Sequence, residues 1–475
     1  MKWAIYNVLF AAVYPFLLPG FLVRMLRRGG YAARMGDRFA LYPEGLFGKD
    51  RALYDSHKDF RRETGDFVWI HAVSVGEVQV AGQLMREWRK VEPGVRFCFS
   101  TTSSTGWKIA EKELSTLNSQ LSTSSDVLIY NPLDFPNFVK SALRTVRPRA
   151  IVLTESEIWP NFILQAKKMG IPLFLINARV SDRSAPRYKA AKWFFGDVLS
   201  CFTRIFAQSD LDKARLVAAG APEAKVKVTG SFKFDVAHRN EAKERELREW
   251  ICGGETPPRI LLGGSTWPGE DEVLLGIYRR LIEQSDNPNN RTILVIAPRH
   301  FEKADAVEAN IRKAGFECVR RSSVERASRP FLRQERTGGT PVPPVYLADT
   351  TGELMGLYGI ADVVFVGKSL CAHGSQNMIE PCLCGKPTFV GPYTENFRPV
   401  MSDLLASDAI VQVKDADELE KGIVELFGSF DLRGRDAPVP SSTSQVLQLG
   451  ERAKAAVEKR LGVVAKCVAE IRGAL

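Results

Sequence analysis

The feature that most constrains the fold is a pattern that occurs twice: short, continuously apolar runs separated by stretches of helical periodicity. The first series comprises Phe67–Ala72, Phe97–Thr101, Val127–Tyr130, Ala150–Thr154, Leu173–Asn177 and Ile205–Gln208. The second comprises Ile260–Gly263, Ile293–Ala297, Val363–Val366, Thr388–Val390 and Ile410–Val413. Short apolar strands alternating with helices build parallel sheets covered on both faces. The pattern therefore predicts an α/β protein of two domains, and 475 residues suit two domains of ordinary size. The charged helical segment Glu241–Trp250 ends at Gly253-Gly254 and Pro257-Pro258, where the boundary is expected. The expected division is 1–24, 25–240, 255–430 and a C-terminal helical segment 445–475, with Gly450–Leu475 reading as one amphipathic helix. Two stretches read as surface loops: Leu114–Ser125, which could extend the preceding helix but whose Ser and Thr content favours an exposed loop, and the Arg/Pro/Gly-rich run Arg320–Pro344.

The N-terminus departs from a purely soluble pattern. Trp3 to Val23 carries no charge and is about as long as the ~20 residues a spanning helix needs. Arg24, Arg27, Arg28, Arg34 and Arg38 follow it, which by the positive-inside rule puts the bulk of the chain on the cytoplasmic side. The basic flank lies on the wrong side for a cleaved signal peptide. Asn7, Pro15 and Pro19 weaken a straight span, so a tilted or in-plane anchor is an alternative to crossing. Neither domain core is expected to depend on this segment for folding.

The formal net charge of +10 points to an anionic partner. Basic residues form no long block and do not interleave with aromatics, so nucleic acid ranks last. The eight cysteines show neither disulfide nor zinc spacing and read as reduced. His300 has no Cys or His at ligand spacing, and no metal site is expected.

Chemistry concentrates where strands end. Glu77 starts the helix after Phe67–Ala72, at the carboxyl edge of a parallel sheet where such folds bind ligands. An N-terminal acid that merely complements the helix dipole explains the same position. His71 reads as a site residue or a hydrogen-bonded structural one. The run Ser100–Gly106 offers an anion cradle through Ser100, Thr101 and Thr102, or a simple helix cap. TESEIWPN (Thr154–Asn161) brings Glu155 and Glu157 to the same edge as Glu77, and Arg179, Arg183 and Lys233 supply cations. Ser209 reads first as a cap.

In the second series, GGSTWPGEDE (Gly263–Glu272) and IAPRHFEK (Ile296–Lys303) again end strands, the latter with Arg299 and His300. Most specific is GKSLCAHGSQNMIEPCLCGKPTFVGPYTENF (Gly367–Phe397): strand, Gly/Ser loop, helix, strand and turn. Such a loop aims backbone N–H groups and a helix end at a phosphate. Asn377 and Glu380, one turn apart, are placed to reach ribose hydroxyls. No D-x-D motif stands among these loops, so helix dipole, N–H groups and Arg or Lys are expected to hold the phosphate without metal.

HAVSVGEV, TESEIWPN, NARVSDRS, AQS, FKFD, APRH, GKSL with GSQNMIEP, and GPYTENF stand in the same order as in bacterial 3-deoxy-D-manno-octulosonic acid (Kdo) transferases, which the chain resembles from its N-terminus to Phe397. The resemblance implies a GT-B fold, two Rossmann-like domains facing a cleft, with an N-terminal membrane-anchoring helix. It implies an inverting, metal-independent glycosyltransferase without cofactor that moves Kdo from CMP-Kdo to a phosphorylated lipid A precursor (lipid IVA) at the cytoplasmic face of the inner membrane. Residues 25–240 would hold the acceptor and 255–430 the donor. Glu77 then matches the catalytic base and Glu157 the second acid. Arg299, Asn377 and Glu380 match donor positions, with Lys368 and Ser369 beside them; Ser100, Thr101, Thr102, Arg179 and Lys233 are the expected acceptor or anion contacts. The chain departs from the family at Lys368, often Gly, at Trp267, often His, and at Ser375-Gln376 before the Asn. A GT-B enzyme using another sugar nucleotide would share N-x-x-E-P but not SVGE or TESEIWPN. A sugar-nucleotide epimerase would need neither anchor nor two anion sites, and acids at several strand ends argue against a non-enzymatic membrane scaffold.

Overall fold

The computed structural model describes residues 2–28, 32–47, 65, 67–119, 126–236, 240–252, 259–284, 292–323, 342–431 and 441–475. Two compact units emerge: Met1–Val236 with Gly462–Leu475, and Ala237–Leu461. The first holds β1 (Phe67–His71), β2 (Arg96–Thr101), β3 (Val127–Tyr130), β4 (Ala150–Thr154), β5 (Leu173–Ala178), β6 (Arg204–Ala207) and β7 (Val226–Val228). They form one parallel sheet in the order β3-β2-β1-β4-β5-β6-β7. The second holds β8 (Arg259–Thr266), β9 (Thr292–Pro298), β10 (Cys318–Arg320), β11 (Val345–Leu347), β12 (Val363–Val366), β13 (Thr388–Val390) and β14 (Val411–Gln412). Its parallel order is β10-β11-β9-β8-β12-β13-β14.

Strands buried on both faces explain the continuous apolar runs. In β1, Phe67 and Trp69 join one core cluster while Val68 and Ile70 join the other. The first cluster is completed by helices Pro136–Val146, Pro160–Lys168 and Lys192–Ser200. The second is completed by helices Val75–Val91 and Ser104–Asn118. In each sheet the first strand of the unit is central and the chain reverses direction beside it, between β1 and β4 and between β8 and β12. Crevices at such switch points, beyond the carboxyl ends of the strands, are where open α/β sheets bind ligands.

The C-terminal tail is two helices rather than one. Ser441–Glu458 ends before Gly462, which takes φ +78°, and Val463–Arg472 starts anew. Val463, Val464, Cys467, Val468 and Ile471 of the last helix fill the second cluster of the first unit. Asp235 fixes its start, accepting from Gly462 N and Val464 N at 2.7 Å each. The acid of the FKFD motif is therefore a helix cap. Residues 253–258, where the sequence placed the boundary, lie outside the described residues; helix Glu241–Cys252 belongs to the second unit.

The expected loop at Leu114–Ser125 is helical through Asn118, because Leu114 and Leu117 bury one face. Residues 120–125 and 324–341 of the two expected loops lie outside the described residues.

Lys2–Arg28 is a helix, and none of the described helices is long and apolar enough to cross a membrane. Lys2, Tyr6 and Asn7 turn toward the rest of the first unit. Tyr6 donates to Asp134 (2.9 Å), Asn161 donates to Asn7 (2.7 Å), and Lys2 pairs with Asp197 (2.9 Å). Trp3 and Tyr6 pack on Phe194, and Phe10 and Tyr14 on Phe135. Ile5, Val8, Leu9, Val13 and Phe16 are exposed, Phe16 to 84%. Asp134 is buried and also accepts from Asn161 N and Phe162 N; burial pushes its carboxyl up to about 6 against those bonds and the Tyr6 hydroxyl. Removing this helix would strip a donor from a buried acid and uncover Phe135 and Phe194, so the first core does depend on it. Arg34 and Arg38 also turn inward: Arg34 pairs with Asp37, and Arg38 donates to Thr102 O (2.7 Å) with its guanidinium over Tyr130.

Candidate active site

The carboxyl ends of β1 and β4 bring four sequence-selected residues together. Ser74 caps helix Val75–Val91: its hydroxyl accepts from Glu77 N (3.3 Å) and donates to Glu77 Oε1 (2.8 Å). Val73 N donates to Glu77 Oε2 (3.0 Å). The Thr154 hydroxyl at the end of β4 lies 3.1 Å from the same oxygen and 3.0 Å from the His71 carbonyl, sharing its proton between them. Glu77 thus serves the helix start, as the structural reading anticipated. An ionised carboxylate offers roughly four acceptor positions, and Oε1 accepts only from the Ser74 hydroxyl, which leaves it a further acceptor position.

Glu157 stands beside it on the turn after β4. Its Oε2 accepts from Trp159 Nε1 (2.9 Å) and lies 3.6 Å from His71 Nε2. His71 is fully buried, with Nδ1 2.9 Å from the Ser100 hydroxyl, while Nε2 has no hydrogen-bond partner. Trp69 Nε1 donates to that same hydroxyl (2.8 Å), and His71 Nδ1 also lies 3.1 Å from the Ser100 carbonyl. Ser100 and Thr101 are buried in β2, and Ser103 caps the next helix by accepting from Gly106 N (3.0 Å). Ser100 and Ser103 are thus engaged in the fold, whereas the buried Thr101 hydroxyl has no hydrogen-bond partner. Ser209 likewise caps helix Asp210–Ala218.

Glu155, Arg179 and Lys233 form a second group at the same edge. Glu155 is a non-glycine residue at φ +50°, and Asn177, itself at φ +51°, donates to its Oε1 (3.2 Å). Such conformations are strained and concentrate at functional sites. Burial raises the Glu155 carboxyl and the charge of Glu77 adds to it, while Arg179 and Lys233 pull it down. Burial lowers the Lys233 ammonium, opposed by Glu155. Asn177 also accepts from Phe232 N (3.1 Å), fixing the segment that carries Lys233. Sequence alone did not single out Asn177; an Asn at a strand end, able to hold φ > 0, was the available signal.

In the second unit the loops after β8, β9 and β12 converge. Asn377 accepts from Ile379 N (3.1 Å) and donates to Glu380 Oε1 (3.0 Å). Burial raises the Glu380 carboxyl, while the Asn377 bond and the Arg299 charge lower it, so Arg299, Asn377 and Glu380 share one electrostatic neighbourhood. The buried Tyr358 hydroxyl, without a hydrogen-bond partner, faces the same group. Ser369 is fully buried; its hydroxyl donates to Val366 O and accepts from Gly391 N (2.9 Å), tying the two loops together. Lys368 holds φ +57° and carries its ammonium over Trp267, 5.0 Å from the ring centroid. The expected helix after Asn377 is short, Ile379–Leu383. Among the described residues no three His, Cys, Asp or Glu side chains converge as metal ligands, and all eight cysteines are free.

Comparison with known proteins decides the family. The family model for 3-deoxy-D-manno-octulosonic-acid transferase (kdotransferase) matches residues 33–236, most of the first unit. The 3-deoxy-D-manno-octulosonic acid transferase of Haemophilus influenzae is 33% identical over 369 residues, 78% of this chain and 81% of that one. This chain belongs to the Kdo transferase family. The Bordetella pertussis Kdo transferase is 32% identical over 389 residues, covering 81% and 83% of the two chains. As a family member the protein is a glycosyltransferase. Its fold is similar to that of a solved glycosyltransferase from Rickettsia africae, with TM-score 0.53 at 12% identity over 86% of this chain and 98% of that one. An Anabaena protein solved with UDP gives TM-score 0.52 at 13% identity over 86% and 100%. The two parallel-sheet units of this Kdo transferase are those of the GT-B class.

Proposed function

We propose that this Kdo transferase moves Kdo from CMP-Kdo to a sugar hydroxyl of a phosphorylated lipid A precursor (lipid IVA), with inversion and without metal. The observation that carries the reading is the pair of acids at the first switch point, Glu77 with an open acceptor position and Glu157 beside His71. Glu77 takes the hydroxyl proton of the acceptor, whose oxygen forms the new bond to the anomeric carbon of Kdo. The bond from that carbon to the phosphate oxygen breaks, and CMP leaves with the electron pair. A single displacement of this kind inverts the anomeric centre. Glu157 supports the acceptor beside the base, and Arg179 and Lys233 meet the acceptor's anionic groups. On the second unit Asn377 and Glu380 bind the ribose hydroxyls, with Arg299 and Lys368 near the phosphate. Ser369 acts through the loop it ties rather than by contact.

This reading predicts that CMP is released only when lipid precursor is present with CMP-Kdo, and at an undiminished rate in excess EDTA. CMP release abolished by EDTA and restored by magnesium would contradict it.

We also infer that the helix Lys2–Arg28 holds the enzyme on the cytoplasmic face of the inner membrane by lying in the plane of its surface. The helix keeps Lys2, Tyr6 and Asn7 for the protein and turns Ile5, Val8, Leu9, Val13 and Phe16 outward. An outward apolar face on a docked helix suits the headgroup–acyl boundary. The double variant Val13→Asp, Phe16→Asp should keep the wild-type melting temperature, because both positions are exposed, yet float poorly with anionic lipid vesicles. Unchanged flotation would mean that attachment lies elsewhere.

A further inference from the structure

The backbone donors that open the loop after β12 are already occupied by the protein itself. Glu270, fully buried at the start of helix Glu270–Glu283, accepts from Lys368 N (2.8 Å), Ser369 N (3.1 Å), Leu370 N (3.0 Å) and Cys371 N (3.4 Å), and also from Trp267 N (2.8 Å). Successive N–H groups of this kind form an anion-binding concavity, and here an internal carboxylate fills it. Ser375 N and Gln376 N are bonded to Lys368 O and Gly367 O, and Ile379 N to Asn377. The sequence expectation that this loop's N–H groups cradle a phosphate therefore fails at Lys368–Cys371. Beside Lys368–Cys371 a ligand anion has to be met by cationic side chains.

Those side chains gather on Trp267. The ammonium groups of Lys368 and Lys303 lie 5.0 and 5.5 Å from its ring centroid, and the His300 ring 5.3 Å away. Among the described residues no carboxylate pairs with Lys303 or Lys368, whereas many surface lysines and arginines of the chain do have such partners. An indole face holds an ammonium in place without neutralising it, so the charge remains available to a ligand. Lys368 also keeps a left-handed backbone that glycine would adopt without strain.

We propose that Trp267, Lys303 and Lys368 form an anion subsite of the second unit that takes the phosphate of the nucleotide, with Lys303 a donor-binding residue alongside Lys368. The proposal rests on the reading that this unit binds the nucleotide-activated sugar. Two ammonium groups steadied by one indole would meet the phosphate of a nucleoside monophosphate, while Glu270 shapes the loop from inside and contributes no site for it.

The test is calorimetric titration of the full chain with CMP, cytidine and UDP, for wild type, Lys303→Gln, Lys368→Gly and the double variant. Lys368→Gly relieves the backbone and Lys303 is exposed, so both variants should fold; melting temperatures check this. Each single variant should weaken CMP binding about tenfold, the scale of one lost charge-assisted hydrogen bond. The double variant should lose most of the preference for CMP over cytidine and most of the salt dependence, Arg299 alone remaining. CMP affinity of the double variant within twofold of wild type would overturn the subsite, as would wild type binding neither nucleotide. Wild type that binds UDP but not CMP, with the same dependence on both lysines, would keep the subsite and overturn CMP-Kdo as donor.

Discussion

Glu77→Gln is expected to lower Kdo transfer by roughly a hundred- to ten-thousand-fold, the range that a positioned general base supplies. The substitution isolates the proton transfer because of how Glu77 is held. Gln is accepted at this capping-box position as readily as Glu, so the helix start at Ser74 should survive. The Gln carbonyl can still accept from Val73 N or Ser74 Oγ, which now hold Glu77 in place. What disappears is the group that can carry away the acceptor's proton. Nucleotide binding, assigned to the second unit, should stay at wild-type strength, and the loss should fall on kcat rather than KM. Activity within a few-fold of wild type in steady-state assays would leave Glu77 a helix cap and nothing more.

The largest effect on stability is expected from Glu270→Ala, which should destabilise the second unit by at least roughly 3 kcal/mol, since each buried donor left unpaired costs about 1–3 kcal/mol. Five backbone N–H groups converge on this carboxylate, four of them from a loop almost a hundred residues further along the chain. The space admits no easy repair. A side chain at Gly367 would stand 2.4 Å from Ser265 O and 2.8 Å from Glu270 Oε2. Glu270→Gln, which keeps one acceptor oxygen, should lose less. Urea unfolding followed by tryptophan fluorescence, compared at the midpoint of the second unit, reads the difference. A loss under about 1 kcal/mol would show that water serves these donors as well as the carboxylate does.

Much of the architecture was legible because the central strands are buried on both faces and read as unbroken apolar runs. β7, β10 and β11 escaped notice: each is three residues long, and Val226–Val228 and Cys318–Arg320 are edge strands without an unbroken buried run. Glu77, Glu155 and Glu157 were visible as acids at strand ends, since the end of a parallel strand fixes the direction in which the next residues leave the sheet. Their partners were not, because Thr154, His71 and Lys233 meet them only through sheet order. The helix Lys2–Arg28 shows the same limit. Its composition is apolar throughout, and nothing local says that Tyr6 finds Asp134 while Phe16 faces outward. Glu270 is the sharpest case: the sequence offered Glu270, Asp271 and Glu272 in a row, and only the closed fold selects the one that enters the distant loop.

The most direct test of the central claim is to incubate the purified full chain with CMP-Kdo and lipid A precursor and weigh the product lipid by mass spectrometry. The account predicts a mass gain of a whole number of Kdo units, present with wild type, absent with Glu77→Gln, and unaffected by EDTA. A lipid of unchanged mass under conditions where the enzyme is folded and binds CMP, or a mass gain only with a different sugar nucleotide, would contradict it.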